Sequence, residues 1–300
     1  MTQRMLIFLL FAGTLLLGGW LVAPAIYAAG TIVTVNRTGD ISDMNPGDGI
    51  CDASVNLGSQ CNLRAAIEEL NALGPDSTPH RIEFDIAGTG PFTFTPGSPL
   101  PDIVVPVEIV GTTQSGASCP TSNSPANLLI VLDGINAGTN EDGLVLDTGS
   151  DGSSVRGLVI GNFDDDGIRI NSNGNNVRCN HIGLDATGNS PMGNGTGIFV
   201  AGMDNDIGGA IAHAARNVIS ANDGYAIQLY GSANRIENNF IGPTAVGLND
   251  LGNGSGILIS FDDNTIGSSG PFGRNLISGN DGNGIYISQS DNNHLLGNYI

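Results

Sequence analysis

GIRI at positions 167–170 returns as GIFV at 197–200, AIQL at 226–229, GILI at 256–259 and GIYI at 284–287. The first apolar residue of each copy, Ile168, Ile198, Ile227, Ile257 and Ile285, recurs at steps of 30, 29, 30 and 28. A second series, Asn176, Asn205, Asn234, Asn264 and Asn293, runs at 29, 29, 30 and 29. Two independent series in phase mean one structural unit stacked on itself. Within a unit, apolar residues at i and i+2 mark strands with one buried face. Three such pieces fit per unit, for example 227–229, 235–236 and 240–241. Pieces so short, so far apart and running in one direction cannot be hairpin partners. Each pairs in parallel with its equivalent one turn on, about 4.8 Å away. The pattern predicts an all-β chain wound as a single-stranded parallel β-helix with three strands per coil, Ile stacked over Ile. Gly before each strand and Asn between strands would supply the positive φ that tight corners need. A corner Asn in every coil can also stack as a ladder of side-chain amides.

A longer period overlies the first. Asn180-His181-Ile182-Gly183 matches Asn239-Phe240-Ile241-Gly242, and Arg216-Asn217 matches Arg274-Asn275. Two unlike coils therefore alternate. One carries a longer loop after its third strand, the other a longer loop between its second and third.

Composition agrees with a repetitive β architecture: 45 Gly in 300 residues, with 5% aromatic and 13% charged side chains. All ten basic residues are Arg, and the net charge is −19. No basic stripe exists to neutralise phosphates, which argues against nucleic-acid binding. Such a surface also repels anionic polysaccharides unless a divalent cation bridges them.

At the N-terminus, Arg4, an apolar run over 5–22 and small residues at Ala25, Ala28 and Ala29 predict a secretory signal peptide over 1–29. An uncleaved membrane anchor is the alternative, because the apolar run is long. Residues 30–75 read as an N-terminal cap: a strand over 31–35, an acidic loop, and one amphipathic helix over 63–72 started by Asn62 and stopped by Gly74-Pro75. Its use would be to cover the open apolar end of the first coil. Cys51 and Cys61, so close in an exported chain, predict a disulfide. For Cys119 and Cys179, a second disulfide and a buried free thiol in a strand at Cys179 both fit. The β-helix fills 76–300, beginning with irregular strands at 81–86, 92–95, 104–110 and 128–132, then 144–146 and 155–160. Position 300 falls inside the third strand of a coil, so the expectation is a chain that continues beyond it, the alternative being a last coil that pairs with a partner.

The run Cys61-Asn62-Leu63-Arg64-Ala65-Ala66-Ile67 resembles the "CSLREAI" motif of large exported bacterial proteins. Further segments of that family resemble Ser98-Pro99-Leu100-Pro101, Gly111-Thr112-Thr113-Gln114 and the repeats at 180–188, 216–222 and 274–280. The chain departs from the motif at Asn62 and Ala65, where the family has Ser and Glu. The resemblance implies right-handed, pectate-lyase-like parallel β-helix repeats in a secreted or cell-surface protein, mostly without an assigned activity.

Three classes of function follow. A structural or adhesive stalk would bind a polysaccharide or a cell-surface protein along its outward row, Val145, Arg169, Phe199, Gln228, Leu258 and Tyr286. A plain spacer would bind nothing. The enzymatic alternative is a polysaccharide lyase or glycoside hydrolase, Ca²⁺-dependent if a lyase, with Asp165, Asp166 and Arg169 as its candidate residues. Against it stand a solvated-corner reading of Asp164-Asp165-Asp166 and the absence of Gly-His-Gly and Arg-x-Lys signatures. The histidines, His80, His181, His213 and His294, are scattered, with His181 and His294 expected at corners. No metal-ligand spacing, serine-hydrolase elbow or phosphate loop occurs, and Asp204, Asp206, Asp262 and Asp263 read as solvated turns.

Overall fold

The computed structural model describes residues 30–54 and 60–300. The segment read as a signal peptide, 1–29, lies outside the described residues, and no helix among those described is long and apolar enough to cross a membrane. The described strands form three sheets of nine, seven and six strands, here called A, B and C, and every pairing between named strands is parallel. The chain visits them in a fixed order. Asn176–Arg178 joins sheet A, His181–Ile182 joins B and Thr196–Val200 joins C, after which the circuit repeats at Asp206–Gly208.

The first apolar series forms a column. Ile168 pairs with Ile198, Ile198 with Ile227, Ile227 with Ile257, and Ile257 with Ile285. Sheet A stacks Ile82, Ile109, Val155, Val177, Ile207, Ile236 and Ile266 in the same way, and all of them are buried. These columns and the inner face of the helix belong to one apolar core.

Asparagine columns hold all three corners. Asn175, Asn205, Asn234, Asn264 and Asn293 are linked at 2.8–2.9 Å, each backbone N–H donating to the next Oδ1. The first member is thus Asn175 and not Asn176, which lies one residue on, inside a strand opposite Asp206. A second column runs Asn180, Asn217, Asn239, Asn275, Asn298, and a third Asn194, Asn222, Asn253, Asn280. The buried amides are satisfied by their copies one turn away or, as at Asn234 and Asn264, by backbone carbonyls, so the corners carry few orphaned polar groups.

Positive φ falls only in part where the sequence pattern suggested. Asn162 and Asn238, between strands, have it, but the Gly that opens each GI-x-I piece and the ladder Asn itself do not. It falls on the residue just before the ladder Asn: Gly174, Asp204, Ala233, Asp263 and Asn292, at 57–66°. The Gly that opens each GI-x-I piece is needed for room instead. A Cβ on Gly197 would stand 2.5 Å from the Ala226 carbonyl oxygen of the next turn.

Several expected strands shift. The piece expected over 155–160 is two strands, Ser154–Arg156 in sheet A and Leu158–Gly161 in sheet B, with Gly157 turning between them at φ 80°. The piece expected over 104–110 begins only at Val107, because Pro106 has no N–H to donate. Cys179 is not in a strand and not free. It sits at a corner with φ 61° and is bonded to Cys119, while Cys51 is bonded to Cys61. His181 and His294 lie in strands, not at corners.

Helix α1, Leu63–Leu73, starts where Asn62 accepts from the Ala65 N–H at 3.1 Å, and ends at Gly74. It buries Leu63, Ala65, Ala66, Ile67 and Leu70 in the core. Its polar residues bind the chain around it. Glu69 accepts from the N–H groups of Gly47 and Gly49, and Arg64 pairs with Asp40 at 2.7 Å. Arg64 also donates to the carbonyls of Ser98 and Pro99, so two of the motif segments quoted above meet. Gln114, in a third, accepts from Ile86 N–H at 2.8 Å.

Candidate functional site

The outward row on sheet C exists as a row. Val145 pairs with Arg169, Arg169 with Phe199, Phe199 with Gln228, Gln228 with Leu258, and Leu258 with Tyr286. Strand alternation puts these side chains opposite the buried Ile column. They are unequally accessible: Tyr286 is 45% exposed, whereas Leu258 is 8%. Phe199 stacks on Tyr230 with centroids 5.3 Å apart, and the Arg169 guanidinium lies 4.3 Å above the same Phe199 ring. Arg169, Phe199 and Tyr230 therefore make one layered patch, in which Tyr230 was not anticipated.

The acidic corner below this patch is built, not merely solvated. Asp166 opens the strand Asp166–Ile170 and is buried. Its carboxylate accepts from Arg169 at 2.8 Å, and its N–H donates to Asp142 at 2.9 Å. Asp142, Asp165 and Asp166 each offer an oxygen within 4.8 Å of the others. Burial, then the negative charges of Asp142 and Asp165, push the Asp166 carboxyl up to about 7, and the Arg169 ion pair does not offset them. Burial raises Asp142 as well. Asp164 is exposed and accepts from the Asn140 N–H.

Asp142 is absent from the candidates read off the sequence, although a signal for it existed. Asp142-Gly143-Leu144 stands one turn before Asp166-Gly167-Ile168, and Leu144 pairs with Ile168. Asp206 also differs from expectation: it is the first residue of a strand and pairs with both Arg178 and Arg235. Asp262 accepts from the Asp291 N–H one turn on.

The corner is a poor fit for Ca²⁺. That ion takes six to eight oxygens, and the Arg169 guanidinium already holds the most buried of the three carboxylates. What the group can do is keep one carboxyl protonated near neutrality beside two carboxylates and a cation, which is an arrangement able to exchange a proton.

Neither a family model nor a curated protein matches this chain.

Proposed function

We propose that the chain is a right-handed, pectate-lyase-like parallel β-helix with three strands to the turn. In this reading it is exported and serves at the cell surface as a structural or adhesive shaft. The observation that carries it is the register. Equivalent residues pair directly across consecutive turns through all three sheets, which makes a long stiff element bearing continuous rows of side chains along its length. The handedness follows the strong preference of parallel crossovers. Two disulfides support an oxidising compartment, alongside the N-terminal segment over 1–29 and the CSLREAI-like motif. The layered patch of Arg169, Phe199 and Tyr230 is the face offered to a glycan or a partner protein. Protease treatment of intact cells, with blotting for the chain, tests the location. Protection from the protease, with the chain in the soluble cell extract, would overturn export. Glycan arrays and cell-binding assays test adhesion, and silence in both would leave a plain spacer.

One observation favours a second reading, a polysaccharide lyase or glycoside hydrolase: the carboxyl of Asp166 held near neutrality beside Asp165 and Arg169. Turnover on a polysaccharide panel, with and without Ca²⁺, that vanishes in Arg169→Ala or Asp165→Asn would replace the shaft reading by this one.

A further inference from the structure

On the outer side of sheet B lies an open groove of about 530 Å³, lined by His213, Arg216, Phe240, Arg274 and Tyr299 among others. A second hollow of about 230 Å³ shares Arg216 and Phe240 with it and is edged by the hydroxyls of Thr121, Ser122 and Ser124. Phe240 precedes the core residue Ile241 and packs outside the main core, against Val218 and Ala245.

The groove is built from one couple used twice. The Arg216 guanidinium lies 4.1 Å over the Phe240 ring, and that of Arg274 lies 5.2 Å over Tyr299. The arginines are 58 residues apart and the rings 59, so each couple recurs after two turns. Two strand spacings put the cations about 10 Å apart along the sheet.

Both cations lack a counter-ion. Among the described residues, the arginines with a carboxylate within 4.0 Å are Arg64, Arg81, Arg169, Arg178 and Arg235. Arg216 and Arg274 find partners other than carboxylates instead, His213 Nδ1 at 3.0 Å and the Tyr299 hydroxyl at 2.6 Å. The Arg216 Nε is buried and has no acceptor at all. Burial alone pulls this guanidinium below its usual range, as expected for a half-desolvated charge that nothing neutralises. Arg37 and Arg156 also have no carboxylate within 4.0 Å among the described residues, but Arg216 and Arg274 are the two that line one groove, in a chain of net charge −19. Stacking on a ring occupies one guanidinium face, and the terminal nitrogen of each arginine not used on His213 or Tyr299 remains to donate to an oxyanion.

We propose that this groove binds an acidic polysaccharide in extended form, its carboxylates or sulfates received by successive Arg–aromatic couples. A pyranose ring in an extended chain is about as long as one strand spacing, about 4.8 Å, so the couples match a charge on every second ring. Nucleic acid fits poorly, since its charges are far denser than one per 10 Å or so. The acidic surface elsewhere does not forbid binding, because repulsion is screened beyond about 8 Å at physiological ionic strength. The inference deepens the adhesive reading by naming a ligand class, and it places the ligand on a different sheet from the Arg169 patch.

Calorimetric titration of the full chain tests it, with oligogalacturonate and a sulfated glycosaminoglycan oligosaccharide as probes. A neutral dextrin and a poly-glutamate peptide serve as comparisons. At least one acidic saccharide is expected to bind, more weakly as salt rises. Arg216→Gln or Arg274→Gln should each weaken binding about tenfold, as loss of a charge-assisted hydrogen bond predicts. Arg156→Gln, a matched charge loss at an exposed position on sheet A, should leave it unchanged, and Phe199→Ala is run beside it to probe the sheet C patch. Thermal melts confirm that each variant folds, and Arg274→Gln, at the more exposed couple, keeps the test open if Arg216→Gln does not fold. Equal binding of dextrin or poly-glutamate would overturn the proposal, as would full binding by the arginine variants or no binding by any acidic probe. Loss in Phe199→Ala alone would also overturn it while leaving the adhesive reading intact.

Discussion

The turns before about residue 150 and the turns after it reach the same three-sheet circuit by different means. The early turns are held by unlike side chains that must fit one another. Phe84 meets Phe94 edge-on at 6.0 Å, Leu63 and Ile67 of helix α1 fill the core, and Arg64 and Glu69 bind loops. The later turns are held by like over like, isoleucine on isoleucine and asparagine on asparagine. In the first regime most contacts are unique, although Ile82 already stacks on Ile109. In the second, a residue's environment is its own copy, so a defect is shared by two neighbours.

The largest expected effect lies where the two regimes join. The Cys119–Cys179 disulfide ties the 116–125 insert of the early turns to a corner of the later ones across 60 residues. Loop-closure entropy makes the loss of such a cross-link worth about 4 kcal/mol. The double variant Cys119→Ser with Cys179→Ser should show that loss in urea unfolding. The Cys51–Cys61 bond closes a separation of only 10 residues, and its removal should cost about 3 kcal/mol by the same relation. Equal or reversed costs would mean that the junction is not under this constraint.

Next comes the ladder. Asn205 accepts both the backbone and the side-chain N–H of Asn175, at 2.8 and 2.9 Å. Asn205→Ala leaves two buried donors without an acceptor, a cost of about 3 kcal/mol in denaturant midpoint measurements. Adding Asn234→Ala should cost less than a second independent loss, because the two residues share bonds. In the early turns, Leu70→Ala should also cost about 3 kcal/mol, and it should add fully to Asn205→Ala. Additivity within the ladder would break the distinction between the regimes.

Later turns also contain positions where the copy rule fails, and these should titrate. His181 stands in a row with Val159 and Val218, and burial drives its pKa down to about 4. Its folded value lies below the ordinary 6.5, so its contribution is intact above that pH and is lost as pH falls through about 4. Asp166 has the opposite sign. Raised from 3.8 to about 7, it contributes stability below its ordinary value and loses it as pH rises through about 7. His181→Val should flatten the acid side of the melting-temperature profile, and Asp166→Asn the neutral side. An unchanged profile in either variant would show that the group is not buried as described.

Legibility followed the same division. The isoleucine columns, the three pieces per unit, the row from Val145 to Tyr286 and the alternation of loops were readable, because a period of about 29 residues averages over local ambiguity. Helix α1 was readable from its cap and amphipathic spacing. The register of the first asparagine was not, since Asn175 and Asn176 are adjacent and only the pairing with Asp206 separates them. The split at Gly157 was hidden because Val155 and the run Leu158-Val159-Ile160 are separated only by Arg156-Gly157 and read as one strand across them. The acidic corner was half legible: Asp165, Asp166 and Arg169 are neighbours in sequence, whereas Asp142 joins them only through pairing one turn away. The groove on sheet B escaped for a similar reason. Arg216 and Arg274 were visible as markers of the two-turn period, but the rings they cover lie 24 and 25 residues further on.

The smallest expected effect concerns backbone alone. At the corner entering sheet A, the residue before each ladder Asn has positive φ, and the five occupants are Gly174, Asp204, Ala233, Asp263 and Asn292. Gly, Asp and Asn tolerate that region, whereas an alanine Cβ crowds the following carbonyl oxygen at about 1–2 kcal/mol. Ala233 at φ 60° is therefore the strained member of its column. Ala233→Gly should stabilise the chain by up to about 1 kcal/mol once the greater freedom of unfolded glycine is subtracted. Gly174→Ala is the mirror experiment. A Cβ there meets nothing within 4 Å, so any loss is conformational, and it should be of similar size and opposite sign. Paired urea midpoints with equal slopes measure both. Two shifts of the same sign would mean that these corners are set by their surroundings rather than by the left-handed residue ahead of each asparagine.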